Sequence, residues 1–367
     1  MYSRTSISNT QLLDVGLGRI SSDKVHRFSA NALIFEDEMA TIYDVAALAG
    51  VSSATVSRVF NGIRVSDEKV EAVRRAAEEL SFTPSRTART LRRQNSEVIA
   101  LLIPDIENPF FTSLARGVED RAQASGFSVV LCNTDDDLDK ESKYLKIAIS
   151  ENMAGVIVAP ASEDSDLSEV VARKKPIVAV DRGTRHDVDM VMTDNRPAGQ
   201  SATEALFDAG YSKVACITGP TGIETADERS RGWEQVVTQR GNYDTEPYLK
   251  RGNNRVDGGR AAMLELLSMD DRPDALVATN NLMGVGALQV LSESGMIPPE
   301  FGVAVVGDLP FTTLDPSSIT RVHLPARNLG VTAAEILIQR IGGDEHPKRT
   351  VVLRNETAVA TNPRQAV

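Results

Sequence analysis

The sequence predicts an α/β protein: a small all-α head of three helices, followed by two doubly wound parallel-sheet lobes. Three observations lead there. At 367 residues the chain suffices for two or three folding units rather than one small core. Hydrophobic residues at 41% and charged residues at 25% match ordinary globular usage, which excludes a disordered or fibrous chain. From Val98 onward, short β-rich runs alternate with longer amphipathic segments, the rhythm of βαβ units.

Residues 1–38 are rich in Ser, Thr and Asn without sustained periodicity and read as a disordered extension. Met39 directly precedes the first helix cap and reads as an alternative start of translation. Thr41, followed three residues later by Asp44, caps a first helix that runs to Ala49, where Gly50 breaks it. Ser52 caps a second helix whose Val56 and Val59 are expected to pack on Val45 and Leu48. Ser66 opens a third, with Val70, Val73, Ala77 and Leu80 at helical spacing. The head spans 39–84, and residues 85–96 form a short helix and a polar linker.

In the body, Val98–Ile103, Ser128–Leu131 and Gly155–Val158 read as strands separated by helices over Phe110–Ser125 and Lys140–Ile149. The pattern resumes after Asp194, giving two sheets of similar size with a cleft between them. One lobe takes 97–194 and 324–350, the other 195–323 and 351–362, leaving 363–367 as a tail.

The formal charge of −11 argues against nucleic acid when taken alone, because phosphate binding rests on Lys and Arg. Its distribution reverses that. Between Met39 and Gln94 basic residues such as Arg58, Arg64, Arg74, Arg75, Arg86, Arg89, Arg92 and Arg93 outnumber the acids, so the acid excess lies in the body. A helix, a glycine turn and a second helix presenting Ser53, Ala54, Thr55, Ser57 and Arg58 suit entry into a DNA major groove. Arg58 has the fork to bond a guanine, and equally reads as a solvated charge.

Cys132 and Cys216 sit in apolar runs and read as buried thiols, not a disulfide or metal site. The run Asp135-Asp136-Asp137-Leu138-Asp139 lacks the spacing of a calcium loop and reads as a solvated loop. No apolar run reaches the roughly 18 residues of a membrane span, and no secretory leader is seen, so the cytoplasm is the expected compartment. No metal or other cofactor is expected, and no phosphate-cradling glycine loop or nucleophile–base pair marks an enzyme.

The strings Thr41-Ile42-Tyr43-Asp44-Val45-Ala46, Ala49-Gly50-Val51-Ser52 and Thr55-Val56-Ser57-Arg58-Val59-Phe60-Asn61-Gly62 resemble the LacI/GalR signature nearly position for position. Phe82-Thr83-Pro84-Ser85 and Ala88-Arg89-Thr90-Leu91 are similar to that family's hinge helix, in which paired subunits wedge a leucine into the minor groove. The resemblance implies a homodimer, or a tetramer, bound to a double-stranded operator. Its DNA contacts would be Thr41, Ser52, Ser53, Ala54, Thr55, Ser57, Arg58, Asn61, Ala88 and Leu91.

From Val98 to about Ala360 the chain resembles the family's periplasmic-binding-protein-like body, implying repression controlled by a sugar, polyol or nucleoside between the lobes. Phe110 and Phe111 could cover a sugar's apolar face or pack in a lobe core. Asp181 and Arg182 end a strand run at the edge where open α/β sheets bind ligands, and could instead be a structural ion pair. Thr225 and Arg229 share a helix face, and Arg229 matches the family's ligand-gripping arginine. Asn280, Asp308 and His323 each follow a strand toward the same edge. Two departures stand out: the usual Asn-Asp pair reads Asn280-Asn281, and the segment around Asp308 is shortened to Gly307-Asp308-Leu309. An aromatic platform expected near Asn253 is missing, which speaks less for a pentose than for a polyol, hexose or nucleoside. A transport-type binding protein, which would need a signal peptide and would not carry residues Thr41 to Leu91, and a doubly wound enzyme, which would need a phosphate-cradling glycine loop or a nucleophile–base pair, are the rival readings.

Overall fold

A computed structural model describes residues 40–60, 63–82, 96–241, 243–296, 298–309 and 316–361. The expected extension 1–38, most of the hinge 85–96, the tail 363–367, and Asn61, Ala88 and Leu91 lie outside the described residues. The chain divides into two compact units at Arg89–Thr90.

The first unit holds helices α1 (Ile42–Leu48), α2 (Ser53–Phe60) and α3 (Asp67–Glu79). Thr41 and Asp44 form a reciprocal capping box, with Thr41 N donating to Asp44 Oδ2 at 2.8 Å, so two otherwise orphaned donors are satisfied. Gly50, at φ +63°, makes the turn that an L side chain would strain. Val45, Ala46, Val56, Val73, Ala76 and Ala77 form the core. Leu48, expected beside Val45, is 47% exposed. The buried stripe of α1 is Ile42, Val45, Ala46 and Ala49, and Leu48 lies two residues from Ala46, about 200° around the helix.

The second unit carries two six-stranded sheets. The first is built from β1 (Val98–Ile103), β2 (Ser128–Asn133), β3 (Gly155–Val158), β4 (Ile177–Val180), β5 (Asp189–Thr193) and β11 (Thr350–Leu353), in the order β11-β5-β4-β3-β1-β2, all parallel. Helices α4 (Pro109–Gln123), α5 (Leu138–Ser150), α6 (Ser168–Ala172) and α11 (Ala326–Ile341) belong to this lobe. The second sheet uses β6 (Val214–Thr218), β7 (Leu249–Arg251), β8 (Ala275–Ala278), β9 (Gly302–Val306), β10 (Thr320–His323) and β12 (Glu356–Ala358), ordered β12-β10-β9-β8-β6-β7. Only β12 runs antiparallel in it. Around it sit α7 (Asn195–Asp208), α8 (Glu224–Arg240), α9 (Val256–Leu267) and α10 (Asn281–Glu293).

The chain passes between lobes three times, before α7, before α11 and between β11 and β12. The sequence reading put the last passage at residue 350. Thr350 pairs with Met190 and Leu353 with Thr193, so this strand completes the first sheet and the passage falls after Leu353. A short alternating run shows that a strand exists but not which sheet edge will accept its hydrogen bonds.

In each sheet the strand order reverses beside the first strand, between β1 and β3 and again between β6 and β8. Such switch points part the loops at the carboxyl edge and leave a crevice. Three helix pairs approach closely enough that glycine is required on both partners. A Cβ on Gly117 would lie 2.1 Å from Arg327 O, and one on Gly330 2.1 Å from Leu114 O. Gly199 with Gly232, and Gly259 with Gly286, repeat the arrangement in the second lobe. Gly330→Ala is therefore expected to lower the unfolding free energy in urea by about 1–3 kcal/mol, the usual cost of overpacking, despite alanine's better helix propensity. An unchanged urea midpoint would mean that α4 and α11 separate freely.

Candidate functional site

In the first unit, the second helix of the helix-turn-helix begins at Ser52, whose Oγ accepts from Thr55 N at 3.2 Å. Thr41, Ser52, Ala54 and Arg58 are exposed, and Ser53 and Thr55 half-buried, giving a surface of short polar groups beside one guanidinium. Ser57, expected on that surface, is only 8% exposed. It adjoins the fully buried Val56 and is covered, although Ser53 and Ala54, four and three residues earlier on the same helix face, reach the surface.

In the second unit the carboxyl edges of both sheets enclose a cleft of about 630 Å³. Phe110, Phe111, Asp181, Arg182, Thr225, Arg229, Asn280, Asp308 and His323 all line it. They come from the ends of β4, β8, β9 and β10 and the starts of α4 and α8, separated by more than 200 positions in the chain and brought together by the parallel topology.

Charge burial dominates the site. Asp181, Arg182, Thr225 and Arg229 are each less than a tenth exposed. Asp181 holds a left-handed φ of +69°, a conformation that costs a non-glycine residue free energy. Burial pushes its carboxyl above the usual range, against the opposing pull of Arg182 and Arg229. Burial likewise lowers Arg229 to about 10, with Asp181 acting in the opposite direction. Arg229 donates from Nε to Asn195 Oδ1 and from Nη1 to Thr279 O, both at 2.9 Å. Asp181 Oδ1 and Arg182 Nε are buried with no hydrogen-bond partner. Asp181 and Arg182 also form a long ion pair, Nε to Oδ2 at 3.9 Å, and the acceptor and donor without hydrogen bonds suit a ligand hydroxyl, which can give one bond and take another.

Phe110 and Phe111 meet edge to face with centroids 5.1 Å apart. Phe111 packs into the first lobe's core, while Phe110 is half-buried and touches the apolar cores of both lobes. Asn280 spends its Oδ1 capping α10 through Met283 N at 3.0 Å. Asp308 and His323 pair with each other, Nδ1 lying 2.9 Å from Oδ2, and both are about half exposed at the rim.

Several cleft residues escaped the sequence reading. Asn281 is buried, and its Nδ2 donates across the cleft to Asn108 Oδ1 at 3.2 Å. Arg255 reaches from the second lobe to Asp105 at 3.3 Å and Glu107 at 3.2 Å. Gly183 N donates to Glu224 Oε2 at 2.6 Å, a third tie between the lobes. The acidic run after β2 is not merely a solvated loop: Asp135 and Asp136 line the cleft, and Asp136 bonds Arg182 at 2.6 Å. Asn108 carried a signal, as an Asn directly before a helix-opening Pro; the pairings of Asn281 with Asn108 and of Asp136 with Arg182 had none in the sequence.

A two-domain body with its cleft at two sheet edges, joined to a helix-turn-helix head, defines a ligand-responsive DNA-binding protein. A family profile described as periplasmic binding proteins and sugar binding domain of LacI family matches residues 96–358, and one described as bacterial regulatory proteins, lacI family, matches 41–85. The chain belongs to the LacI family and is a DNA-binding transcriptional regulator. It is 36% identical to the ribose operon repressor of Halalkalibacterium halodurans over 309 residues, 83% of this chain and 91% of that one. With the HTH-type transcriptional repressor PurR of Photobacterium profundum it shares 30% identity over 326 residues, 88% of this chain and 98% of the relative. Among solved structures it resembles the transcriptional regulator CelR–cellobiose complex, with a TM-score of 0.66, 30% identity and coverage of 87% and 98%. The lac repressor dimer bound to operator and the anti-inducer ONPF shares the fold at a TM-score of 0.78, with 22% identity over 88% of this chain and 99% of that one. Among the described residues no helix is long and apolar enough to cross a membrane.

The raised carboxyl of Asp181 yields a stability test. A carboxyl whose folded pKa exceeds its unfolded one favours folding only at low pH and loses that advantage as pH rises through the folded value. Asp181→Asn is therefore expected to raise the melting temperature of the ligand-free protein at pH 7, with the gain shrinking as pH falls toward 4. Differential scanning fluorimetry across that range is the check, and a melting temperature lowered at pH 7 would contradict the burial argument.

Proposed function

We propose that this chain is a cytoplasmic, homodimeric repressor whose operator affinity is set by a small sugar, polyol or nucleoside in the cleft. The observation that carries this reading is the buried trio Asp181, Arg182 and Arg229, with Asp181 Oδ1 and Arg182 Nε unsatisfied at the mouth of two sheets. A carboxylate and guanidiniums withdrawn from water grip vicinal hydroxyls strongly, because those hydroxyls replace the hydrogen bonds that burial removed. Phe110 provides an apolar face against which a ring can lie. Thr225, Asn280, Asp308 and His323 complete the polar lining. The cleft's acids and bases are nearly matched, which favours a neutral ligand over an anion. We assign the cleft binding and not catalysis.

The head, taken as 39–84, reads the operator through Ser52, Ser53, Ala54, Thr55, Arg58 and Asn61, with Thr41 on the backbone and Ala88 and Leu91 in the hinge. Ser57, facing inward, serves the packing of the reading helix. The name of the ribose operon repressor and the cellobiose of the CelR complex support a carbohydrate as effector, and the two identities differ enough to leave the sugar open. Effector binding couples to DNA through residues 85–96: a ligand that prefers one arrangement of the lobes shifts the population that holds the operator.

Arg58→Ala is expected to weaken specific operator binding about 5- to 150-fold, matching about 1–3 kcal/mol for a lost bidentate base contact, while thermal stability stays near wild type. Fluorescence anisotropy with operator and competitor duplexes checks it, and unchanged specific affinity would remove Arg58 from the reading surface. Arg229→Ala is expected to abolish the effector response with operator binding retained. A thermal-shift screen of sugars, polyols and nucleosides supplies the effector; a variant still responding normally to it would exclude Arg229.

A further inference from the structure

Asp136, which lines the cleft, and Glu141, which does not, both converge on Arg182. Glu141, on the first turn of α5, is 1% exposed. Its Oε2 accepts from Ala161 N at 2.8 Å. Burial pushes the Glu141 carboxyl above its usual range, so only specific partners justify keeping an acid there. Ala161 O and Pro160 O in turn accept from Arg182 Nη1 at 3.2 and 3.1 Å. Asp136 Oδ1 accepts from that same nitrogen at 2.6 Å.

The chain after β2 is shaped to deliver both acids. Asp135 and Asp136 each hold a left-handed φ of +56°, and Asp137 then caps α5 by accepting from Asp139 N and Lys140 N at 2.8 and 3.0 Å. Two strained residues followed by a cap set the start of α5, and thereby Glu141, at a fixed distance from Asp136. Every side-chain hydrogen bond that Arg182 makes among the described residues leaves from Nη1, while Nε is buried without a hydrogen-bond partner, 3.9 Å from Asp181 Oδ2.

We propose that Asp136 and Glu141 are positioning residues for effector binding: they clamp Arg182 by one guanidinium nitrogen, Asp136 directly and Glu141 through Ala161, and so keep the Nε edge aimed at ligand hydroxyls. The proposal rests on the assignment of Arg182 to the effector site. A guanidinium on a flexible stem loses rotamer freedom when it binds, and fixing it beforehand removes that loss from the binding step. Glu141 acts through a backbone amide, so Gln at this position, which retains an acceptor, should preserve the clamp, whereas Ala should release it.

The test uses the full chain with 15N-labelled arginine, the Arg182 Nε–Hε signal being identified by its disappearance in Arg182→Lys. In ligand-free protein, Asp136→Ala and Glu141→Ala are expected to shift that signal and to speed rotation about the Arg182 Nε–Cζ bond severalfold, with Glu141→Gln close to wild type. Calorimetry with D-ribose and cellobiose as probes is expected to show about tenfold weaker binding of whichever sugar binds wild type, again restored in Glu141→Gln. An Arg182 signal unchanged in both Asp136→Ala and Glu141→Ala overturns the clamp. If Glu141→Ala fails to fold, Asp136→Ala decides alone, because the Asp136 side chain is 37% exposed and its loss leaves the core intact. If neither sugar binds wild type, both are excluded as effectors, and the ligand-free spectrum still decides the clamp.

Discussion

The withdrawal of charge from water at one sheet edge governs the chemistry of this body. Asp181 and Arg229 are both shifted toward neutrality by burial; Arg182 and Arg229 pull the Asp181 carboxyl back toward its charged form, while Arg229 is supported by Asp181 and opposed by the like charge of Arg182. An arrangement like this spends stability, since removing ions from water costs several kcal/mol per ion before partners repay it. The protein repays part of it with fixed acceptors, Asn195 Oδ1 and Thr279 O for Arg229, and Asp136 with two carbonyls for Arg182. The remaining open donor and acceptor are what a polyhydroxylated ligand can satisfy, so the site's instability and its affinity have one origin.

That cluster needs two lobes able to bring their edges together and apart. Each lobe is rigid within itself, its helices drawn tightly over the sheet by paired glycines whose absent Cβ atoms make room for facing backbone carbonyls. Across the cleft the ties are sparse: Arg255 with Asp105 and Glu107, Gly183 with Glu224, Asn281 with Asn108. The Arg255–Glu107 pair is solvent-exposed and by itself weak, and the Arg255–Asp105 pair is only partly covered. Stiff lobes with a soft junction are the physical requirement for converting ligand binding into a population shift. The head shows the opposite economy, with a core of few, mostly small side chains, and its helix starts secured by capping at Thr41 and Ser52.

Much of this was legible from local pattern. The alternation of β-rich runs with amphipathic segments announces a parallel sheet flanked by helices, and in such a sheet every strand delivers the residue after its last buried position to the same edge. That rule places Asp181 at the carboxyl edge of the first sheet and Asn280, Asp308 and His323 at that of the second, and the facing of the two edges joins them in one cleft. Capping residues and glycine breaks marked Thr41, Gly50 and Ser52 for the same reason: each satisfies or ends a helix using only neighbours in sequence.

What the chain alone determined, then, was what depends on near neighbours: helix and strand periodicity, caps, turns, and the edge at which each strand ends. The fold decided what depends on distant ones: that Ser57 and not Leu48 turns inward in the head, that Thr350–Leu353 completes the first sheet, that Asn281 meets Asn108, and that an acidic run after β2 holds Arg182. Dihedral preference and hydrophobic spacing act over a few residues and are written in order along the chain, whereas the partner of a buried charge is chosen by which surfaces pack together, and nothing in the spacing of Asp136 and Arg182 records that choice.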